Sequence, residues 1–584
     1  MRLVFDLEAN GFVNDASRIH CLVAKDIDTG DLYEFEPSKV GQGLDLLMKA
    51  DLLIGHNVIG YDLALIQKLH PWFSIARDRV LDTLILSRLI YSDLSDRDIQ
   101  ASVNMERKLY GSHSLKAWGY RLGILKGDYT GGFEEFSDEM LAYNVQDVVV
   151  TERLYEKLIK HEAFSERASV LEHQVAHIIA QQEKHGFVFD DHAATKLTAR
   201  LQIRRGELEA QLQDTFPPWE EVIGEFIPKV NNKSRGYVKG VPILKTKTVV
   251  FNPGSRHHIA NRLIALHQWN PKEFTPDGRA KVDESVLSKL PWPEAKQLTE
   301  YLLVQKRLGM LAEGNNAWLK LSRQGRIHGE IITNGAVTGR ATHRNPNIAQ
   351  VPAVGALYGK ECRSLFGVPP RKCLVGIDVS GLELRMLAHF MRDAEYARQV
   401  VDGDVHTVNQ KAAGLETRNQ AKTFIYAFLY GAGPEKIGSI VGKGKAHGGL
   451  LKKRFLERTP SLKRLIDDVQ RAASRGYLIG LDGRRLHIRS AHAALNTLLQ
   501  SAGALVCKQW MVEVDNMLAL TGQSHRVQQV AWVHDECQYE CDPDFADEFG
   551  KMAVDCIRKA GDFFEIKLPL TGEYKIGNNW AETH

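Results

Sequence analysis

The chain has 584 residues, of which 44% are hydrophobic and 25% charged, as in an ordinary soluble globular protein of three or four domains. Its net charge of only +3 excludes a nucleic-acid surface built on global basicity, so any such surface must be a local patch. Acids at positions 6 and 8 exclude a signal peptide, and no run reaches the roughly 20 apolar residues of a membrane span. The seven scattered cysteines favour reduced thiols, so we expect a cytoplasmic protein without a membrane partner.

The first predicted strand, within MRLVFDLEAN, begins apolar and then carries Asp6 and Glu8. Because strand side chains alternate between faces, these two carboxylates share one face. Like charges on one face repel each other unless something neutralises them, and a divalent cation is the usual partner. From these ten residues alone, a solvated strand end explains the pair equally well.

Further acids follow as strands and helices alternate up to about residue 188. A second apolar strand, beginning at Leu52, ends at His56-Asn57, and Asp62 lies near the start of the amphipathic helix that follows. A later helix, EMLAYNVQDVVVTERLY, places Tyr143 and Asp147 four residues apart and so on one face. Taken singly, Asp62 suits a charge at a helix N-terminus and Asp147 suits a polar group in the core.

Taken in order, the DxE strand, the HNxxxYD segment and the YxxxD helix resemble the DEDDy proofreading exonucleases. The resemblance implies two divalent metals held by four carboxylates, those of Asp6, Glu8, Asp62 and Asp147. It also implies that Tyr143 orients the attacking water. Oxygen ligands and a phosphate substrate favour Mg²⁺ or Mn²⁺ over zinc.

The middle of the chain, from about 189 to 320, is predicted to be mostly helical. Its Lys- and Arg-rich helices either track a phosphate backbone or are simply exposed charged helices. The stretch 216–250 carries no acid after Glu225, but it has six cations: Lys229, Lys233, Arg235, Lys239, Lys245 and Lys247. We predict an exposed basic loop or hairpin here, acting as a DNA clamp element rather than as a linker.

A second group of acids begins after Gly335. Asp378 ends a buried strand in KCLVGIDVSGLELRMLAHF, and Asp535 and Glu536 lie at a hairpin between two strands in QQVAWVHDECQYEC. One acid at a strand end, together with an acid pair at a hairpin, is the layout of a two-metal phosphoryl-transfer site.

Between these acids lies a predicted helix, in which Thr417 and Gln420 form a capping box and Gly431 provides a stop. Four side chains recur at every fourth position along one face: Arg418, Lys422, Tyr426 and Tyr430. A solvent-exposed stripe is the plain explanation. Two cations near the helix N-terminus followed by two aromatic rings nevertheless suit a triphosphate followed by its nucleoside, and we favour that function.

The segments TGRATHRNPNIAQVP, GIDVSGLELR, TRNQAKTFIYAFLYG, LDGRR, NTLLQSAGA and VHDE occur in the order found in polymerase I-like (family A) DNA polymerases. GDVHT, AALNTLLQSAGAL and NNWAETH resemble replicative polymerases of T-seven-type bacteriophages in particular. The resemblance implies an α/β multidomain protein, with an RNase H-like DEDDy exonuclease followed by a right-hand polymerase. The expected domains are exonuclease 1–188, thumb 189–320 with a short basic insertion near 216–250, first part of the palm 321–400, fingers 401–499 and second part of the palm 500–584.

The same resemblance assigns roles around the second group of acids. Asp378, Asp535 and the backbone carbonyl of Val379 would hold two Mg²⁺, with Glu536 adjacent and Mn²⁺ as a substitute. The nucleotide contacts would be Arg418, Lys422, Tyr426, Tyr430, His406 and Glu383. Glu383 would block a 2′-hydroxyl, and tyrosine at 426 implies tolerance of dideoxynucleotides. The minor-groove and primer-terminus contacts would be Arg340, Asn496, Gln500 and His534, which test base-pair geometry without reading sequence.

The expected partners are primer-template DNA, dNTPs, a replicative helicase-primase and a single-strand DNA-binding protein. T-seven-type polymerases carry a large thumb insertion that binds host thioredoxin, and the corresponding stretch around 216–250 is much shorter here. We therefore expect the basic stretch to contact DNA or another processivity factor, with thioredoxin as the alternative. No 5′-nuclease domain precedes Met1, so primer removal is expected to belong to another enzyme.

Three rival functions explain less of the sequence. A stand-alone exonuclease with a DNA-binding tail leaves the motifs between 378 and 536 without a role. A single-subunit RNA polymerase fits neither Glu383 as a sugar gate nor a proofreading domain, and a non-enzymatic scaffold would be expected to have lost metal ligands. The sequence therefore predicts a DNA-directed DNA polymerase, replicating phage DNA in the host cytoplasm, with 3′–5′ exonuclease proofreading.

Overall fold

The computed structural model describes residues 1–124 and 129–584. It divides the chain into two compact units. The larger unit contains Met1–Phe187, His328–Ala349 and Val368–His584, and the smaller contains Val188–Ile327 and Gln350–Gly367. The five domain ranges expected from the sequence stay predictions. Among the described residues, no helix combines the length and the apolar character that crossing a membrane requires.

The described strands are β1 (Arg2–Ala9), β2 (Ile19–Asp26), β3 (Leu32–Phe35), β4 (Leu52–Gly55), β5 (Val80–Asp82), β6 (Phe187–Phe189), β7 (Trp219–Phe226), β8 (Ile243–Val249), β9 (Arg326–Ile327), β10 (Glu330–Ile332), β11 (Thr342–Arg344), β12 (Phe366–Gly367), β13 (Cys373–Val379), β14 (Tyr477–Ile479), β15 (Arg485–His487), β16 (Val527–Val533), β17 (Glu536–Cys541) and β18 (Gly572–Gly577).

The described α-helices are α1 (Val40–Lys49), α2 (Asp62–Leu69), α3 (Thr83–Ile90), α4 (Leu94–Ala101), α5 (Leu115–Leu122), α6 (Asp138–Ile159), α7 (Glu166–His185), α8 (Asp191–Thr215), α9 (Arg256–His267), α10 (Glu284–Leu287), α11 (Pro293–Leu308), α12 (Trp318–Leu321), α13 (Gly359–Ser364), α14 (Leu382–Met391), α15 (Ala394–Val401), α16 (Val405–Ala413), α17 (Arg418–Leu429), α18 (Pro434–Ser439), α19 (Lys445–Arg458), α20 (Pro460–Ala473), α21 (Ala494–Leu520) and α22 (Ala546–Phe563).

The N-terminal part of the larger unit is built on a five-stranded sheet with the order β3-β2-β1-β4-β5. The central strand β1 runs antiparallel to β2 and parallel to β4. Leu3, Val4 and Phe5 are fully buried, which is why this strand is apolar on both faces where it begins. The predicted first strand is confirmed, and Asp6 and Glu8 lie in its second half.

A second sheet of the larger unit is antiparallel, with the order β16-β17-β13-β18. In its register Asp378 of β13 faces Glu536 of β17. The amide of Val379 donates a hydrogen bond of 3.0 Å to the carbonyl of Asp535. The sheet therefore brings the end of β13 against the 534–535 turn, as the sequence predicted.

Helix α17 begins and ends as the sequence predicted. The hydroxyl of Thr417 accepts a hydrogen bond from the amide of Gln420, and the Gln420 side chain accepts one from the amide of Thr417, which completes the capping box. The helix ends at Leu429, and Gly431 follows it with a φ of +73°.

The smaller unit contains the segment predicted to be a basic loop or hairpin, and a hairpin is confirmed. Strands β7 and β8 pair antiparallel from Trp219 opposite Val249 to Phe226 opposite Ile243. The Trp219 ring lies against α9, with the Arg262 guanidinium 4.0 Å from its centre. The rest of the hairpin is mostly exposed to solvent.

Candidate functional sites

Three of the four carboxylates predicted near the N-terminus come together in the structure. Asp6 and Glu8 point from one face of β1, and Asp147 comes from α6. One carboxylate oxygen from each lies within 4.8 Å of the others. Such closeness is unfavourable for three negative charges by themselves and is suited to a shared divalent cation.

The fourth carboxylate, Asp62, is the first residue of α2 and is only 2% exposed. Its Oδ1 atom is buried, with no hydrogen-bond partner among the described residues. Burial, together with the negative charges of Asp82 and Glu8, raises the pKa of Asp62. Asp62 thus lies close enough to Glu8 to feel its charge but outside the tight trio, and its buried oxygen is suited to binding a cation.

Tyr143 lies one helical turn before Asp147 on α6, as the YxxxD pattern predicts. Its ring centre is 5.7 Å from that of Tyr129. The role of Tyr143 in orienting water stays a prediction.

Two polar residues that the sequence analysis missed hold this site together. With its amide group oriented to satisfy both contacts, the buried Asn144 donates to the carbonyl of Asp6 and accepts from the amide of Glu8, each at 3.2 Å. The buried Asp82 accepts from the amides of Asn57 at 2.8 Å and Ile59 at 3.2 Å, in the turn before Asp62. The available signals were the asparagine inside the YxxxD motif and the acid that follows the apolar pair Val80-Leu81.

The second site is a cleft of about 400 Å³ in the larger unit. Eight residues that the sequence analysis assigned to the polymerase site line it: Arg340, Asp378, Val379, Glu383, Tyr426, Tyr430, His534 and Asp535. The other assigned residues do not line it: His406, Arg418, Lys422, Asn496, Gln500 and Glu536. His343, which the sequence analysis missed, also lines the cleft, and burial lowers its pKa to about 4.

The acids at the cleft destabilise one another's charged forms. Partial enclosure by the protein and the negative charges of Asp535 and Glu536 raise the pKa of Asp378 to about 7. Burial also raises the pKa of Asp535. Paired carboxylates in such surroundings favour a cation or a proton between them.

Glu536 is adjacent to these acids but directed into the protein. It is 5% exposed, and its Oε1 accepts hydrogen bonds from Gln538 at 2.7 Å and from the Trp580 indole at 2.5 Å. Its Oε2 lies 2.8 Å from a ring nitrogen of His584. These contacts explain why Glu536 does not line the cleft.

Glu383 has two partners at the cleft. The Tyr430 hydroxyl donates a hydrogen bond of 2.5 Å to its Oε1, and the Arg340 guanidinium lies 3.6 Å from the same oxygen. Burial and this hydrogen bond raise the pKa of Tyr430. The predicted sugar gate and the predicted templating tyrosine are thus in direct contact.

The predicted triphosphate contacts lie where α16 and α17 begin. Arg418 donates to Asp404 at 2.8 Å, and Asp404 also caps α16 through the amides of His406 and Thr407. Partial burial and the charges of Arg418 and Lys422 lower the pKa of His406. The two cations and the histidine are therefore neighbours in space, outside the cleft.

Asn496 and Gln500 lie one turn apart on α21, and both are half-buried. Leu499, Gly503 and Cys507 of the same helix line the cleft. The structure therefore places the two amides on the helix that forms one wall of the site, without placing them in its lining.

Comparisons with known proteins show what the chain is similar to. The family model of DNA polymerase family A matches residues 239–582. The chain is 38% identical to the DNA-directed DNA polymerase of Enterobacteria phage T3 and 39% identical to that of Escherichia phage T7, over the whole length of both chains in each case. The fold is similar to the POL domain of Pol1 from M. smegmatis, solved in complex with DNA primer-template and dNTP, with a TM-score of 0.76 at 17% identity; the match covers 100% of this chain and 96% of that one.

Proposed function

The chain belongs to DNA polymerase family A, and we propose that it replicates phage DNA by adding dNTPs to a primer 3′-hydroxyl and proofreads with a separate 3′–5′ exonuclease site. The observation that carries the proposal is the gathering of two acids, a sugar-gate glutamate and two tyrosines around one cleft. Its predicted place is the cytoplasm of an infected cell, where template and dNTPs are available.

At the cleft, Asp378, Asp535 and the Val379 carbonyl are the proposed ligands of two Mg²⁺ ions, for which Mn²⁺ can substitute. When bound, these ions lower the pKa of the primer hydroxyl and neutralise the leaving pyrophosphate. The raised pKa of Asp378 supports this assignment, because its causes are partial enclosure and the charges of Asp535 and Glu536, which a bound cation would offset.

The remaining polymerase roles belong to residues in and beside the cleft. Tyr426 would support the sugar, Tyr430 would stack at the templating position, and Glu383 would exclude a 2′-hydroxyl. Arg418, Lys422 and His406 would bind the triphosphate once the start of α17 moves over the nucleotide, the induced-fit route to selectivity. Arg340, Asn496, Gln500 and His534 would contact the primer terminus and the minor groove.

For proofreading, Asp6, Glu8, Asp62 and Asp147 are the proposed ligands of a second pair of Mg²⁺ ions, and Tyr143 would orient the attacking water. The close trio of oxygens and the buried Asp62 oxygen support the assignment. Asn144 and Asp82 would keep the ligand-bearing backbone in place, since each is hydrogen-bonded to it.

The test is primer extension on a long single-stranded template under single-encounter conditions, with and without added thioredoxin, alongside hydrolysis of a single-stranded 3′ end. We expect extension that needs Mg²⁺ and all four dNTPs, and hydrolysis that needs Mg²⁺ alone. Extension without hydrolysis would remove the proofreading half of the proposal. No extension from a folded protein would overturn the polymerase half.

The β7–β8 hairpin is the proposed DNA contact that supports processivity. All six of its cations are exposed, and none of them forms an ion pair within the described parts of the chain. No acid occurs between residues 226 and 250. Exposed and unneutralised cations at this density suit a phosphate backbone.

Replacing the six cations with glutamine should shorten products and reduce the salt dependence of DNA binding, by a slope of about 0.9 for each phosphate that is no longer neutralised. Replacing the lysines with arginine is the matched control, because it keeps the charge, and it should leave both quantities nearly unchanged. Long products only in the presence of thioredoxin would instead assign the hairpin to a protein partner. The helicase-primase and the single-strand DNA-binding protein stay predicted partners.

A further inference from the structure

Four charged side chains form a buried network that none of the roles above uses. Their exposed fractions are at most 2%, and they are Glu172, Asp482, Arg484 and Lys508. Two are acids and two are bases, so the network is neutral as a whole. Buried charges are expensive unless they are paired and hydrogen-bonded, and here each has a partner.

The contacts join a helix of the N-terminal region to elements of the polymerase region. Glu172 of α7 accepts through Oε1 from Lys508 of α21 at 2.5 Å and from Arg484 at 2.7 Å. Arg484 also binds both carboxylate oxygens of Asp482, at 2.6 to 3.0 Å. The LDGRR segment contributes both Asp482 and Arg484, which gives that motif a structural position.

The network also holds a tight turn directly before Arg340. Lys508 donates to the carbonyl of Gly339 at 2.8 Å, and Arg484 donates to the Asn334 side chain at 3.2 Å. The turn is closed by hydrogen bonds from the amide of Gly339 to the carbonyl of Ala336 and from the amide of Ala336 to the carbonyl of Arg340.

Gly339 cannot easily be another residue. Its φ is +77°, which side-chain-bearing residues rarely adopt, and a Cβ atom there would lie 2.8 Å from the Arg484 guanidinium. The close approach of the guanidinium and the bond from Lys508 therefore hold this peptide on two sides. The next residue, Arg340, projects into the cleft toward Glu383.

We propose that Lys508 and its partner Glu172 are positioning residues for nucleotide incorporation, acting by holding the Gly339 peptide so that Arg340 points into the cleft. The inference rests on the proposed role of Arg340 at the primer terminus. Because Lys508 is proposed to act through the Arg340 side chain alone, changing Lys508 should lower the efficiency of incorporation only while Arg340 is present.

The test is a cycle of variants in single-turnover incorporation of a correct dNTP. Lys508→Met with Glu172→Gln removes one buried charge of each sign, so the network stays neutral and Arg484 keeps an acceptor. We expect this double variant to lose roughly tenfold in kcat/KM, as a displaced contact in the transition state would give. In an Arg340→Ala background the same pair of changes should cost less than about twofold.

A matched control removes another buried pair, far along the chain from this turn. Arg121 and Asp98 are 7% and 2% exposed and lie 2.8 Å apart. Arg121→Met with Asp98→Asn should lower Tm similarly and leave kcat/KM unchanged, which separates positioning from general stability.

A second variant acts on the turn without removing any charge. Gly339→Ala forces a Cβ against Arg484 and should give the same loss of kcat/KM that depends on Arg340. The proposal is overturned if the folded variants keep wild-type kcat/KM, or if their losses are equally large without Arg340. Failure of the proposed function would show separately, as a wild-type protein that does not extend primers.

Discussion

The two acidic sites of the larger unit are built differently, although the same metal chemistry is proposed for both. The N-terminal site takes its close trio from one strand and one helix, and Asn144 and Asp82 form hydrogen bonds to the backbone of its acid-bearing segments. The cleft takes two acids from strand ends and adds Arg340, Glu383, Tyr426 and Tyr430. The proposed hydrolysis of a 3′ end needs little beyond the acids and the water-orienting Tyr143. The proposed selection of a nucleotide also needs groups that recognise its sugar and base, and Glu383, Tyr426 and Tyr430 are proposed for these roles at the cleft.

The strongest way to break this comparison is to remove one acid of the cleft. Asp378→Ala should lower dNTP incorporation on the order of 1000-fold or more, because a proposed metal ligand is lost, and should leave 3′-end hydrolysis unchanged. Single-turnover incorporation and single-strand hydrolysis measure the two activities. Asp547→Ala, which removes an exposed acid on α22, is the control. Loss of both activities from a folded variant would contradict two independent sites.

The reverse change tests the N-terminal site. Asp6→Ala combined with Glu8→Ala should lower hydrolysis on the order of 1000-fold and leave incorporation of correct nucleotides unchanged. The observable consequence is a higher frequency of errors in copied DNA, measured by sequencing products. If hydrolysis persists, the trio is not the exonuclease centre.

A smaller effect concerns selectivity at the cleft. Glu383→Ala should raise the ratio of ribonucleotide to deoxynucleotide incorporation by about 10- to 100-fold, because the side chain that excludes the 2′-hydroxyl is gone. Tyr430→Phe removes only the hydroxyl bonded to Glu383 and should change this ratio little. Equal changes in the two variants would assign sugar selection to the hydrogen bond instead of the carboxylate.

The smallest expected effect is on stability and concerns the N-terminal region. Burial lowers the pKa of His113 and of His177 to about 4. As the pH falls, each histidine is therefore protonated near pH 6.5 in the unfolded chain but only near pH 4 in the folded chain. The free energy of unfolding is thus highest above pH 6.5 and declines between these two values, by roughly 1–2 kcal/mol for each histidine at pH 5. Urea unfolding at pH 8 and pH 5 should show a smaller acid loss for His113→Gln than for wild type. Equal losses would mean that His113 is protonated in the folded state.

Local patterns in the sequence were enough to predict many elements that carry the sites. Strand alternation places Asp6 and Glu8 on one face, and the capping box marks the first turn of α17. The basic, Gly- and Pro-containing composition of 216–250 predicted an exposed loop or hairpin, and the structure shows the hairpin. These features depend on neighbours within a few residues, which is the range over which sequence patterns are informative.

What the sequence could not provide is contact between distant segments. Lys508 and Glu172 are 336 positions apart, and nothing around either residue indicates burial of a charge. The pairing of Arg418 with Asp404 likewise depends on how α16 and α17 meet, so the predicted phosphate contacts lie outside the cleft in this structure. Metal identity depends on bound ions and stays a proposal.

The base of the basic hairpin has a consequence for how such a chain can change in length. Because Trp219 pairs with Val249, the two ends of the hairpin lie at adjacent points of the smaller unit. Residues can be inserted or deleted between them without displacing the end of α8 or the start of α9, and loop-closure entropy rises only slowly with length. The hairpin is therefore an exchangeable module, one that evolution can enlarge, trim or replace while the helices that carry it stay in register.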